Sequence, residues 1–248
     1  MKQIRAAIRT FLFVTSTLGL YAIWWAAHFF IPNKVYWRQV IFGLWTLSFV
    51  RISGMRIEII GTPPKPPFFL VSNHLSYADI GARRVAAKGI FAAKSELKGG
   101  PVGGPMVRAR GTIFIARNNR RDIPRAGREI IKRLDDGEGV IVFPEGTSTK
   151  GETVLPFNSS FMQFAAESDL PVSYAAISYR VDEGQPPASN YVCWWEDISF
   201  FAHLFRLFKL PGYTAIVNFG EEPIANHDRK ALAAELTRRV AEKFIPVL

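Results

Sequence analysis

The chain has 248 residues, 48% of them hydrophobic, and carries 31 Lys and Arg against 21 Asp and Glu, a formal charge of +10. That length fits one catalytic domain with an appendage, and the positive excess calls for an anionic partner such as a membrane surface or an acidic carrier. A single cysteine, Cys193, excludes an internal disulfide and a cysteine-built zinc site.

In chain order, the first predicted element is apolar. Residues Phe11 to Ile31, FLFVTSTLGLYAIWWAAHFFI, carry no formal charge. As a helix, such a run is ~31 Å long, close to the ~30 Å hydrocarbon core of a bilayer. Lys2, Arg5 and Arg9 precede it, and no small-x-small cleavage site follows, which argues against a signal peptide. A second apolar piece, Val40 to Val50, lies between Arg38 and Arg51 and is too short to span. Basic residues at both ends and in the connector (Lys34, Arg38) leave the orientation open. His28 and the Thr15-Ser16-Thr17 cluster favour a two-helix hairpin immersed in one leaflet over a single span. The expected organisation is therefore a membrane anchor over 1–55 and a catalytic domain over 56–248.

The stretch from Arg56 to Pro67 ends in TPPKPP and reads as a stiff linker that launches a strand. Strand-like and helix-like pieces then alternate. FFLVS precedes a helix from about Tyr77 to Ala87, GIFAA precedes the turn-like KGGPVGGP, and GTIFIA precedes a helix near Ile123 to Leu134. GVIVFP leads to a helix near Ser159 to Glu167, and PVSYAAISY, YVCWW and TAIVNF are further strand candidates. The tail from Asp228 to Phe244 places Leu232, Leu236, Val240 and Phe244 on one helical stripe. This alternation predicts an α/β sheet covered by helices. Near the end, Phe200, Phe201, Leu204, Phe205 and Phe208 form an aromatic stripe, with His203, Arg206 and Lys209 opposite.

Some patterns carry little chemistry. KGGPVGGP lacks the G-x-x-x-x-G-K-[ST] spacing of a phosphate loop. His28, His203 and His227 are scattered without ligand spacing, so no metal site is expected. The basic run from Arg117 through Arg120, Arg121, Arg125, Arg128, Lys132 and Arg133 suits an anionic lipid surface or acidic carrier. No nucleic-acid module accompanies it, and nucleic acid is not an expected partner.

The stretch FFLVSNHLSYADI, Phe68 to Ile80, sets His74 where a buried strand ends and Asp79 five residues on. Five residues along a straight helix place two side chains ~140° apart. The pair can meet only if His74 lies on the turn before a helix and Asp79 in its first turns, with Ser76 available as a cap. Three further stretches follow in order: GTIFIAR ending in Arg117, FPEGTS with Glu145 and Gly146, and VLPF from Val154 to Phe157. Together the four resemble the motifs of the glycerolipid acyltransferase family, typified by lysophosphatidic acid acyltransferases. AAKSELKGGPVGG, Ala92 to Gly104, is similar to the family's stretch between its first two motifs, and the resemblance covers roughly Phe68 to Arg180.

The resemblance implies a mixed, largely parallel sheet flanked by helices, preceded by an N-terminal two-helix membrane motif. It implies that His74 is the general base for the acceptor hydroxyl and that Asp79 orients its imidazole. The hydroxyl then attacks the thioester of acyl-CoA or acyl carrier protein, a co-substrate, with no cofactor. No Ser or Cys nucleophile is needed, and the G-x-S-x-G elbow is absent. Asn73, Arg117, Glu145, Gly146, Thr147 and Ser148 fall on the substrate-binding side, Arg117 offering its planar fork to a phosphate. The implied partners are a bilayer and a lysolipid, and the implied location is the cytosolic face of the inner membrane, monotopic or single-span. The expected acceptor is 1-acylglycerol-3-phosphate, giving phosphatidic acid.

Two positions depart from the pattern. Ala116 precedes Arg117 where many members have Asp, and Ser148 stands where the third motif often has Arg. The second change removes a fixed positive charge near the head group. It keeps a lyso-ornithine aminolipid or another lysolipid as an alternative acceptor, and WWEDISFFAHLFRLFKLPG resembles that aminolipid branch. A hydrolase using His74 to activate water is a further alternative.

Overall fold

The computed structural model describes residues 1–94, 111–115 and 122–247. Helices α1 (Lys2–His28) and α2 (Lys34–Ser53) open the chain. Strand β1 (Met55–Ile60) follows, then β2 (Phe68–Ser72), α3 (Ala78–Ala86), β3 (Gly89–Lys94), β4 (Ile113–Ile115), α4 (Asp122–Asp135) and β5 (Gly139–Val142). A 3-10 turn, Ser159–Met162, runs into α5 (Gln163–Glu167). The remainder is β6 (Val172–Arg180), α6 (Ala188–Tyr191), α7 (Phe200–Leu207), β7 (Tyr213–Phe219) and α8 (Arg229–Lys243).

Among the described residues the strands form one seven-stranded sheet in the order β1-β7-β6-β2-β5-β3-β4, in which only the β6–β7 pairing is antiparallel. β2 is central and buried along its whole length, which is why FFLVS reads as a continuous apolar run rather than an alternating one. Successive residues still point to opposite faces. Leu70 and Ile141 meet α1, α2, α3 and α7, while Phe69, Val71 and Val140 meet α4, α5 and α8. The pairing Val71↔Val142 brings the loops after β2 and β5 out side by side, at the carboxyl edge where open α/β sheets build their sites.

α1 and α2 are antiparallel: Trp45 Nε1 donates to Thr17 Oγ1 at 3.0 Å and Trp37 Nε1 to the Trp24 carbonyl at 3.3 Å. Ala6, Phe13, Phe42 and Phe49 belong to the same buried cluster as Leu70 and Ile177. Arg9 donates to the carbonyls of Ser53, Leu210 and Pro211 (3.2, 2.7 and 3.0 Å). Arg38 Nη2 lies 2.6 Å from Glu138, which is only 4% exposed, and Gln39 bridges Glu138 to Arg84. The other face of α1 exposes Ile4, Ile8, Phe11, Leu18, Trp25 and Phe29, and this helix is long and apolar enough to cross a membrane.

Four local expectations change. α2 runs for 20 residues, not eleven, from the Asn33 cap (Tyr36 N to Oδ1, 2.9 Å) to Gly54 at φ +74°. Arg38 and Arg51, which bound the apolar run on the sequence, lie within the helix, and Arg38 is neutralised by Glu138. Met55–Ile60, read as part of a linker approach, is an edge strand whose mixed exposure gives no alternating pattern. YVCWW is not a strand: its Tyr191 ends α6, and Trp194 N bonds the Leu75 carbonyl at 2.8 Å. On α7, His203 is buried and Phe201 is 63% exposed, so the polar residue expected outside lies within.

Candidate active site

The site forms where β2 ends. Asn73 is fully buried, and its amide clasps one residue of β6: Nδ2 donates to the Ile177 carbonyl (2.9 Å) and Oδ1 accepts from Ile177 N (2.7 Å). Both ends of the amide are used, so Asn73 anchors the turn to β6. His74 follows on that turn and Asp79 lies in the first turn of α3, where a helix N-terminus favours negative charge.

His74 Nδ1 and Asp79 Oδ2 are 2.7 Å apart. The same oxygen accepts from Leu75 N (2.8 Å) and Ser76 N (3.2 Å), so Asp79 ties the whole turn, while Ser76 Oγ accepts only a longer bond from Ala78 N (3.3 Å). A carboxylate facing Nδ1 fixes the proton there and leaves the Nε2 lone pair free to act as a base. Nε2 has no hydrogen-bond partner among the described residues, and the side chain is 23% exposed. The ring stacks on Phe143 at 4.3 Å, and the His74 carbonyl accepts from Thr149 N at 3.1 Å.

Glu145 joins three motifs through backbone amides. One oxygen accepts from His74 N (2.7 Å), the other from Leu155 N (2.8 Å). Burial pushes its carboxyl up to about 7 against the pull of those two amides. Gly146 sits at φ +80°, a conformation that favours glycine, and closes the turn onto the Phe143 carbonyl. Thr147 is exposed, and Ser148 Oγ donates to the Trp194 carbonyl. Arg117, Ala116 and most of the Ala92–Gly104 stretch lie outside the described residues.

A sequence model of the family described as Acyltransferase matches residues 56–178. A lyso-ornithine lipid O-acyltransferase from Brucella abortus (strain 2308) is 30% identical over 94% of this chain and 92% of its own length. A 1-acyl-sn-glycerol-3-phosphate acyltransferase from Neisseria gonorrhoeae is 31% identical over 73% of this chain and 72% of its own length. The chain belongs to the acyltransferase family. The crystal structure of the 1-acyl-sn-glycerophosphate acyltransferase PlsC from Thermotoga maritima shares the fold, with a TM-score of 0.67 and 22% identity over 98% of this chain and 97% of that one.

Three further residues shape this acyltransferase site, two of them outside the four motifs. Phe143 supplies the platform for His74. Trp194 braces two loops, donating from its backbone N to Leu75 while its carbonyl accepts from Ser148. Tyr179, on β6, donates from Oη to Asp79 Oδ1 at 2.6 Å. Tyr179 lies on a strand buried on both faces, and no local pattern reveals its partner a hundred residues earlier. Phe143 alone had a sequence signal, as the residue opening FPEGTS.

Proposed function

We propose that this O-acyltransferase moves a fatty acyl group from acyl-CoA or acyl carrier protein to the free hydroxyl of a lysolipid. The His74–Asp79 contact carries the reading, because it is a base held with its reactive nitrogen outward beside the sheet edge. His74 Nε2 takes the hydroxyl proton as the acceptor oxygen bonds to the thioester carbon. The tetrahedral intermediate then collapses, the carbon–sulfur bond breaks, and the imidazolium returns its proton to the leaving thiolate. Asp79 stabilises the imidazolium in between.

For the acceptor, a lyso-ornithine-type aminolipid is the better fit. The Brucella abortus relative extends over nearly the whole chain, and Ser148 supplies no charge to a head group because its hydroxyl is committed to Trp194. A carboxylate or a phosphate would take the planar fork of Arg117. The second reading, 1-acylglycerol-3-phosphate, is favoured by the Neisseria relative.

The location we propose is the cytosolic face of the inner membrane, with the protein monotopic. Arg9 holds the first half of α1, and Arg38 holds α2, against the catalytic body. That leaves the aromatic tip around Trp24, Trp25, Phe29, Phe30 and Trp37 as the part best placed to enter lipid, where indole rings favour the interface.

An acceptor panel on the purified full-length protein, with products identified by mass spectrometry, tests this assignment. The lyso-ornithine lipid should be acylated with the highest kcat/KM. In Ser148→Arg, lysophosphatidic acid should gain relative to it by ~10-fold or more, the worth of one hydrogen bond to a charged group. An unchanged preference order in an active Ser148→Arg protein would show that this position does not read the head group. Release of free fatty acid as the main product would favour the hydrolase instead.

A further inference from the structure

Asp79 is held from behind as well as from the side of His74. Tyr179 and Asp79 are both buried, and the 2.6 Å bond from Tyr179 Oη occupies the carboxylate oxygen that His74 does not use. One helical turn along α3, Arg83 is 0% exposed. Its Nη2 donates to Ser72 Oγ and to the Ala175 carbonyl (3.0 Å), while Nε and Nη1 have no partner among the described residues. No carboxylate among the described residues forms an ion pair with it. An unpaired cation in a dry core is costly, and here the compensating field comes from Asp79.

We propose that Tyr179 and Arg83 are positioning residues that set the basicity of His74 through Asp79. An uncompensated buried carboxylate would hold a proton on the imidazole too strongly, and the base would meet its substrate already protonated. The Tyr179 hydrogen bond, on the oxygen His74 does not use, and the Arg83 charge both draw on the negative charge of Asp79. Burial and the charge of Asp79 push the Tyr179 hydroxyl up, so it stays a donor, and Arg83, lowered by burial to about 10, stays a cation.

The other titratable groups packed around the pair have different commitments. Glu145 bonds the amides of His74 and Leu155. Tyr77 Oη and His203 Nδ1 bond each other at 3.0 Å, and His203 Nε2 faces the Cys193 carbonyl. Tyr213 Oη donates to Ser53 Oγ at 3.2 Å, and Cys193 is a buried thiol raised by its surroundings. Among the described side chains, only His74 and Tyr179 hydrogen-bond to the Asp79 carboxylate.

This inference rests on the proposed base role of His74, and two readouts separate the two ideas. The first is the imidazole ¹⁵N titration of His74 in the full-length protein, assigned by its loss in His74→Ala. The second is the acidic limb of the kcat/KM pH profile, which reports the free enzyme's base. In Tyr179→Phe, both midpoints should move up together by about half a pH unit or more, with KM for the acyl donor little changed. Arg83→Met should move them in the same direction; if that variant does not fold, Tyr179→Phe alone decides. An unmoved or lowered His74 midpoint in folded Tyr179→Phe would overturn the proposal. A wild-type protein without acyl transfer, or an active His74→Ala, would instead sink the base assignment and leave the titration as the test of the coupling.

Discussion

His74→Ala should lose at least ~10²-fold in turnover while keeping its fold. Positioned base catalysis contributes ~10²–10⁴-fold, or roughly 3–5 kcal/mol of barrier. The side chain is partly exposed and belongs to neither core cluster, so the fold should survive its removal. Turnover measured beside circular dichroism separates the two effects. Asp79→Asn should be milder but still severe, because one amide oxygen must replace a carboxylate that His74, Leu75, Ser76 and Tyr179 all share. Near-normal activity in a folded His74→Ala protein would remove the mechanism.

Deleting residues 1–53 should cost the fold, not merely the attachment to lipid. Phe13, Phe42 and Phe49 are buried against the same core as α3, α7 and the sheet. Burying each such side chain is worth ~1.5–3 kcal/mol, so the three together approach ~5–9 kcal/mol. The whole stability of a domain is only ~5–15 kcal/mol. The deletion also takes Arg38 from buried Glu138, leaving it Arg133 at 3.4 Å. The 54–248 fragment should therefore aggregate or bind a hydrophobic dye in detergent that keeps the full-length protein folded. A monomeric, cooperatively melting fragment with normal activity would show that the helices are a detachable anchor.

Much of the sheet was readable in the sequence because its strands are continuous apolar runs between helical patterns, as in FFLVS and GVIVF. The edge strand Met55–Ile60 was not, since it is half-exposed and its partner β7 lies some 158 residues further on, in the register Met55↔Tyr213. The length of α2 was hidden by Arg38, a charge that only the distant Glu138 makes compatible with burial. In the site, the spacing of His74 and Asp79 gave the turn-then-helix geometry directly. Asn73 stood in the same motif, yet it serves the backbone of Ile177. Tyr179 and Trp194 could not be found from local sequence, because their roles are contacts between loops and strands brought together by parallel pairing.

The central claim is direct transfer from thioester to lipid hydroxyl, with His74 as base and no covalent acyl-enzyme. The measurement that tests it most directly follows an isotopically labelled acyl thioester in the purified full-length protein, with and without lysolipid, by intact-protein and lipid mass spectrometry. The account predicts an unchanged protein mass without acceptor, and label transferred to the lysolipid hydroxyl once acceptor is added. A labelled protein adduct before acceptor is added, or free fatty acid as the main product in its presence, would contradict it.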